Sequence, residues 1–327
     1  MNPFDSPRRV ATNGIELTVY EDGPEAGRPI ILCHGFPEIA YSWRHQMKPL
    51  ADAGYRVIAP DQRGYNTSDQ PASVEAYDIT QLCADLAGLL DETGHDQAVF
   101  AGHDWGAIIV WGMALLHPER VAGVINLSVP FMIRGDEEWV GLWEKLLGPD
   151  FYIVHFNRQP GIADAAFARD PGNLLRNLYR TGQWNDAPRE PPEGPEGPEG
   201  MAMMTLVEAT QPPGELMMSE AELEVFTRAF ETSGFTGPIN YYRNFTRNWH
   251  ILGEVEQKVS QPTLMIHGEH DMVKAQPEMA TYVPNLEIHT LDCGHWIQQE
   301  RPIETNALML DWLSRHYPGS DPESDPA

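Results

Sequence analysis

The stretch "VFAGHDWGAIIVW" (99–111) sets a carboxylate, Asp104, between Gly102 and Gly106, where an apolar strand-like run stops and a helical pattern begins. This is the form of a nucleophile elbow, G-x-Nuc-x-G, with Asp where serine commonly sits. Glycines are needed there because strand and helix approach closely around a strained central residue. A side chain held on such a corner projects at a helix N-terminus, where free N–H groups and the helix dipole favour negative charge. An ionised carboxylate can attack carbon without first losing a proton. Taken alone, Asp104 is better explained as a helix cap. Three further groups change that balance.

In "CHGFPE" (33–38) a strand-like run ends and leaves the Phe36 N–H free to face the corner. Together with the Trp105 N–H it would form an oxyanion hole. In "LMIHGEHDMV" (264–273) Asp271 follows a strand, and in "DCGHWIQQERP" (292–302) His295 follows a strand and a glycine turn near the chain end. Nucleophile, acid, then histidine is the chain order of a hydrolase triad. "HGEHD" (267–271) also offers His267, His270 and Asp271 to a metal, but no HxHxD or HExxH spacing supports that, and no metal is expected.

Seven apolar or β-branched runs would carry these groups: 15–21, 29–35, 55–61, 97–104, 121–130, 262–271 and 286–295. From the third run on, helical stretches such as 77–94 and 105–120 separate several of them. In the first of these, Ile79, Leu82, Cys83, Leu86, Leu89 and Leu90 recur at helical spacing and Gly94 supplies a stop. Strands alternating with helices predict a mostly parallel sheet covered on both faces, with sites at the C-terminal strand edge. The alternation lapses in the middle of the chain. We therefore expect a core formed by 1–133 and 249–317, and a helical cap inserted over 134–248. A mobile loop is expected at the PEG repeats of 189–200, and a disordered tail over 318–327.

The bulk composition narrows the partners. A formal charge of −26 over 327 residues repels phosphate backbones and anionic lipid, so neither nucleic acid nor a membrane surface is an expected partner. Three cysteines without CxxC spacing read as buried, reduced thiols. With no apolar leader and no run long enough to span a bilayer, a cytoplasmic location is expected.

The ordered set "HGFPE", "DQRGYNTSD", "GHDWGA", "HPERV", "FTGPINYYRN" and "DCGHW" resembles that of the α/β-hydrolase-fold epoxide hydrolases of the soluble mammalian and bacterial type, over nearly the whole chain. The resemblance implies an eight-stranded, mostly parallel sheet with a helical cap. It also implies two cap tyrosines that donate hydrogen bonds to the epoxide oxygen. Tyr242 in "FTGPINYYRNF" matches one, with Tyr241 facing elsewhere, and Tyr152 in "DFYIVHFNRQPG" matches the other. By residue type alone, a tyrosine in an aromatic-rich cap is more often packing. The implied reaction turns a small, neutral, apolar epoxide and water into a vicinal diol with no cofactor. Asp104 would carry an alkyl ester, His295 with Asp271 would activate water, and Phe36 and Trp105 would also contact substrate. Oligomeric state stays open, with a homodimer allowed. A haloalkane or haloacid dehalogenase is the alternative. Phe36 stands where haloalkane dehalogenases carry a halide-binding Asn, and Trp105 where the fluoroacetate type carries an arginine. A binding protein that keeps the fold without activity is a third class, and intact Asp104, Asp271 and His295 count against it.

Overall fold

Each apolar run expected to be a strand is one in the computed structural model, which describes residues 2–181, 203–210, 214–274 and 277–319. The loop expected at 189–200 and the tail beyond residue 319 lie outside the described residues.

The strands of the main sheet are β1 (Arg8–Thr12), β2 (Ile15–Asp22), β3 (Pro29–Cys33), β4 (Arg56–Asp61), β5 (Ala98–His103), β6 (Val121–Leu127), β9 (Thr263–Gly268) and β10 (Leu286–Leu291). A two-residue pair, β7 (Arg180–Thr181) and β8 (Glu215–Leu216), stands apart. Spatial order in the eight-stranded sheet is β1-β2-β4-β3-β5-β6-β9-β10. Only the contacts of β2 with β1 and β4 are antiparallel; from β4 to β10 the strands run parallel. Every residue of β3, β4, β5 and β9 is buried, as a sheet covered on both faces requires. The strand β1 was not legible as an apolar run. It is an edge strand that buries only Val10 and Thr12.

Helices α1 (Met47–Asp52), α2 (Ile79–Asp91) and α3 (Trp105–Leu116) follow β3, β4 and β5. The expected apolar spacing of α2 is the face it buries, and Asp78 caps it by accepting the N–H groups of Thr80 and Gln81. Between β6 and β9 the described residues carry, besides β7 and β8, the helices α4 (Trp139–Leu147), α5 (Tyr152–Arg158), α6 (Ile162–Ala168), α7 (Pro171–Leu178), α8 (Thr205–Glu208), α9 (Glu220–Ser233), α10 (Thr236–Arg243) and α11 (Phe245–Leu252). The chain closes with α12 (Met279–Tyr282), α13 (Ile297–Glu300) and α14 (Pro302–His316). No helix among the described residues is long and apolar enough to cross a membrane.

The inserted helices are pinned to the sheet by buried polar contacts. Tyr179 donates its hydroxyl to the Pro37 carbonyl at 2.6 Å and Tyr241 to that of Arg63 at 2.9 Å. Gly237 of α10 lies directly on Gly64, and a Cβ on Gly237 would sit 2.8 Å from the Gly64 Cα. These contacts fix where α10 stands above the C-terminal edge of the sheet.

Candidate active site

Asp104 joins β5 to α3 with φ 51° and ψ −118°, a backbone conformation that L-residues avoid. The surrounding glycines make it feasible. A Cβ on Gly106 would lie 1.9 Å from the Cys33 carbonyl oxygen, and one on Gly102 2.3 Å from that of Gly106. Gly35, from the neighbouring strand's loop, is a third: its Cβ would fall 2.4 Å from the Asp104 Cβ.

That close approach brings the Phe36 N–H to the carboxylate, donating to Asp104 Oδ1 at 2.8 Å. Trp105 is the first residue of α3, so its N–H belongs to the unpaired first turn beside the same carboxylate. Asp104 Oδ2 faces His295, whose Nε2 is 3.6 Å away. On the other side of the ring, Nδ1 lies 3.2 and 3.1 Å from the two oxygens of Asp271. The order read along the chain is thus a contiguous array in space.

Electrostatics follow from that array. Burial works against a charge on His295, but the Asp271 and Asp104 carboxylates outweigh it and hold the imidazole pKa well above its usual value. Asp271 is likewise buried against its charge. The His295 partner, the Ser128 hydroxyl and the Val273 N–H nevertheless keep it below the usual carboxylate range.

Above the carboxylate lies a cavity of about 550 Å³. Asp104, His295, Tyr152 and Tyr242 line it, with aromatic and aliphatic groups such as Phe131, Trp139, Trp143 and Met203. Tyr152 opens α5 and Tyr242 stands on α10, with their rings edge-on and the centroids 5.6 Å apart. Tyr242 packs edge-on against Phe36 at 5.3 Å and Trp105 at 5.1 Å. Burial first, and the Asp104 charge second, push both phenols above their usual pKa, so both stay protonated donors. Successive helix residues point about 100° apart. Tyr241 accordingly turns to Arg63 while Tyr242 faces the cavity.

Of the residues in the minor metal reading, Asp271 holds His295, whereas His270 lies 2.9 Å from Asp292 and groups with it and Glu269, their ligand atoms within 4.8 Å of one another.

Sequence reasoning missed a buried polar layer beneath the site. Glu38, at the end of "HGFPE", lies 2.6 Å from His103 Nδ1 and accepts from the Gly35 N–H at 2.9 Å. It also accepts from Gln298 at 2.9 Å and Gln299 at 3.1 Å. Despite its burial, which raises it, the neighbouring His103 and the Gly35 N–H bring the pKa of its carboxyl down to about 2. His103 Nε2 in turn meets the His295 carbonyl at 2.8 Å. Both ring nitrogens of His103 therefore face acceptors. A Glu ending the expected oxyanion loop was the one available signal, and its burial was not legible. Ser128, bonded to Asp271, offered none beyond its place after a strand.

The same fold and elements recur in known proteins. The family model that matches is that of the α/β hydrolase fold, over residues 28–191. Epoxide hydrolase A of Mycobacterium tuberculosis is 42% identical over 318 residues, covering 94% of this chain and 97% of that protein. This chain belongs to the α/β-hydrolase-fold epoxide hydrolases. Bifunctional epoxide hydrolase 2 of Rattus norvegicus is 36% identical over 92% of this chain and 54% of its own length. The crystal structure of Epoxide Hydrolase A from Mycobacterium thermoresistibile superposes with a TM-score of 0.84 at 40% identity, covering 94% of this epoxide hydrolase and 98% of that chain. Potato (Solanum tuberosum) epoxide hydrolase I gives 0.81 at 32% identity over 95% and 99%. The dehalogenase alternative is not favoured.

Proposed function

We propose that this epoxide hydrolase converts epoxides to vicinal diols in two steps through an ester of Asp104. One observation carries the reading: the Asp104 carboxylate and the phenols of Tyr152 and Tyr242 line one largely apolar cavity. Asp104 Oδ1 is engaged by the Phe36 N–H, which leaves Oδ2 as the attacking atom. Oδ2 displaces the ring oxygen at carbon, and the C–O electron pair goes to that oxygen. An alkoxide is a poor leaving group unless protonated, and Tyr152 and Tyr242 supply the hydrogen bonds and the proton as general acid.

Esterification removes the Asp104 charge, one of the two that hold a proton on His295. His295 gives up that proton to restore the phenol that protonated the epoxide oxygen, and the neutral histidine then acts as base. Nε2 takes a proton from water, the hydroxide oxygen bonds to the Asp104 carboxyl carbon, and the Phe36 and Trp105 N–H groups hold the oxyanion. Each such donor is worth about 3 kcal/mol of transition-state stabilisation. Collapse breaks the ester C–O bond to the carboxyl carbon, the diol oxygen regains a proton, and Asp104 re-forms bearing the oxygen of water. Asp271 orients His295 throughout.

The inserted segment acts as the cap in this reading. We draw it from 134 and extend its end from 248 to Leu252, because α11 runs unbroken through that point. The aromatic lining supports a small, neutral, apolar epoxide, for which Phe36 and Trp105 form the floor. Three free, buried cysteines support a reducing cytoplasm. Neither nucleic acid nor a membrane surface is proposed as a partner, and a homodimer is compatible with this reading.

Single turnover in heavy-oxygen water tests the scheme. Label enters the Asp104 carboxylate and not the first diol released. Label appearing directly in that diol refutes the covalent step.

A further inference from the structure

Among the described residues, four that are not glycine have positive φ: Asn13, Asn66, Asp104 and Ser128. Asn tolerates this region, and Asp104 is accounted for by the elbow. Ser128, at φ 70°, is left. Glycine would adopt that backbone without penalty, so the serine is retained against a local cost.

Its surroundings give the reason. Ser128 follows β6 and is completely buried, with its N–H tied to the Ile266 carbonyl of β9 at 3.0 Å. The neighbouring strand β9 leads into the turn that carries Asp271. The Ser128 Oγ donates to Asp271 Oδ2 at 2.6 Å and lies 2.9 Å from His295 Nδ1. That contact is shorter than either carboxylate contact to the ring, at 3.1 and 3.2 Å. A hydroxyl has one proton. With that proton given to Asp271, the oxygen lone pairs are what His295 meets.

We infer that Ser128 is a positioning residue for the hydrolytic half-reaction, its hydroxyl bridging Asp271 and His295 and holding the ring by its Nδ1–H. This rests on the two-step reading above. The bridge does not touch the attacking oxygen or the tyrosines, so it acts after the ester has formed. With it, Nε2 is aimed at the position of the attacking water. Without it, only the two longer carboxylate contacts hold the ring, and one carboxylate oxygen loses its buried donor.

The test uses the full chain with styrene oxide in single turnover, following ester formation and decay by rapid quench and mass spectrometry. Ser128→Gly and Ser128→Ala are compared because they lack the same hydroxyl, while only glycine relieves the positive-φ backbone and alanine keeps it as serine does. Expected in both is ester formation at the parental rate and ester hydrolysis slowed roughly 10- to 100-fold, the scale of hydrogen-bond partners that orient a histidine. Parental hydrolysis in Ser128→Gly with slow hydrolysis in Ser128→Ala would mean that only backbone shape matters and would overturn the proposal. Equal slowing of both half-reactions would overturn it as well. His295→Gln separates the two levels: if it accumulates no ester, the covalent reading fails and Ser128 loses its role with it. Ester that is trapped there yet decays normally in both serine variants removes only the role of Ser128.

Discussion

Replacing Asp104 by Asn removes one negative charge beside His295 while keeping the side-chain shape and a residue type that tolerates the elbow's positive φ. His295 Nε2 stands 3.6 Å from the carboxylate, and each side chain is less than one-sixth exposed (15% and 13%). At an effective dielectric of about 20, two unit charges at that separation attract by about 5 kcal/mol. The pair is buried enough that salt screens little of it. Asp104→Asn should therefore move the His295 titration to lower pH, with Asp271 still opposing the cost of burial. The assay is a proton NMR titration of the His295 ring in parent and variant. A midpoint unmoved by the substitution would refute the claim that Asp104 helps hold the proton. It would also refute its corollary, that ester formation frees His295 to act as base.

Three more outcomes are expected. Replacing both Tyr152 and Tyr242 by Phe should slow epoxide opening by roughly 10²- to 10⁴-fold, with each single change milder because the partner phenol remains; an unchanged ester-formation rate would remove the cap tyrosines from the mechanism. Gly35→Ala should nearly abolish turnover, because the new Cβ meets the Asp104 Cβ at 2.4 Å; wild-type kinetics would contradict the packing of the elbow. Glu38→Gln breaks a buried, multiply bonded carboxylate and should cost roughly 3–5 kcal/mol of stability in urea denaturation. The sign of its pH dependence follows from a folded pKa of about 2, below the ordinary 4.5. The Glu38 contribution is present above about pH 4.5 and is lost as pH falls through about 2, so the variant's melting temperature should depend less on pH across that window.

What the chain determines by itself is local and steric. Gly102 and Gly106 around Asp104, the strand ends before Phe36 and His295, and the 3.6-residue spacing of α2 are each consequences of a few neighbouring atoms. They were therefore legible as elbow, loops and helix. The tyrosines needed a resemblance, because a helix shows which residues share a face but not what that face meets; the Gly64–Gly237 contact decides that Tyr242 and not Tyr241 looks at the carboxylate. β1 escaped notice because an edge strand buries too few side chains to leave an apolar run. The Glu38–His103 layer and the Ser128 bridge were decided only by tertiary structure. Ser128 meets Asp271 across 143 residues of chain because β6 lies beside β9, and Glu38 meets His103 because β3 lies beside β5. Short-range sterics leave a mark on residue type at the position itself. Hydrogen bonds between strands depend on which strands become neighbours and in what register, and that is settled when the whole sheet assembles.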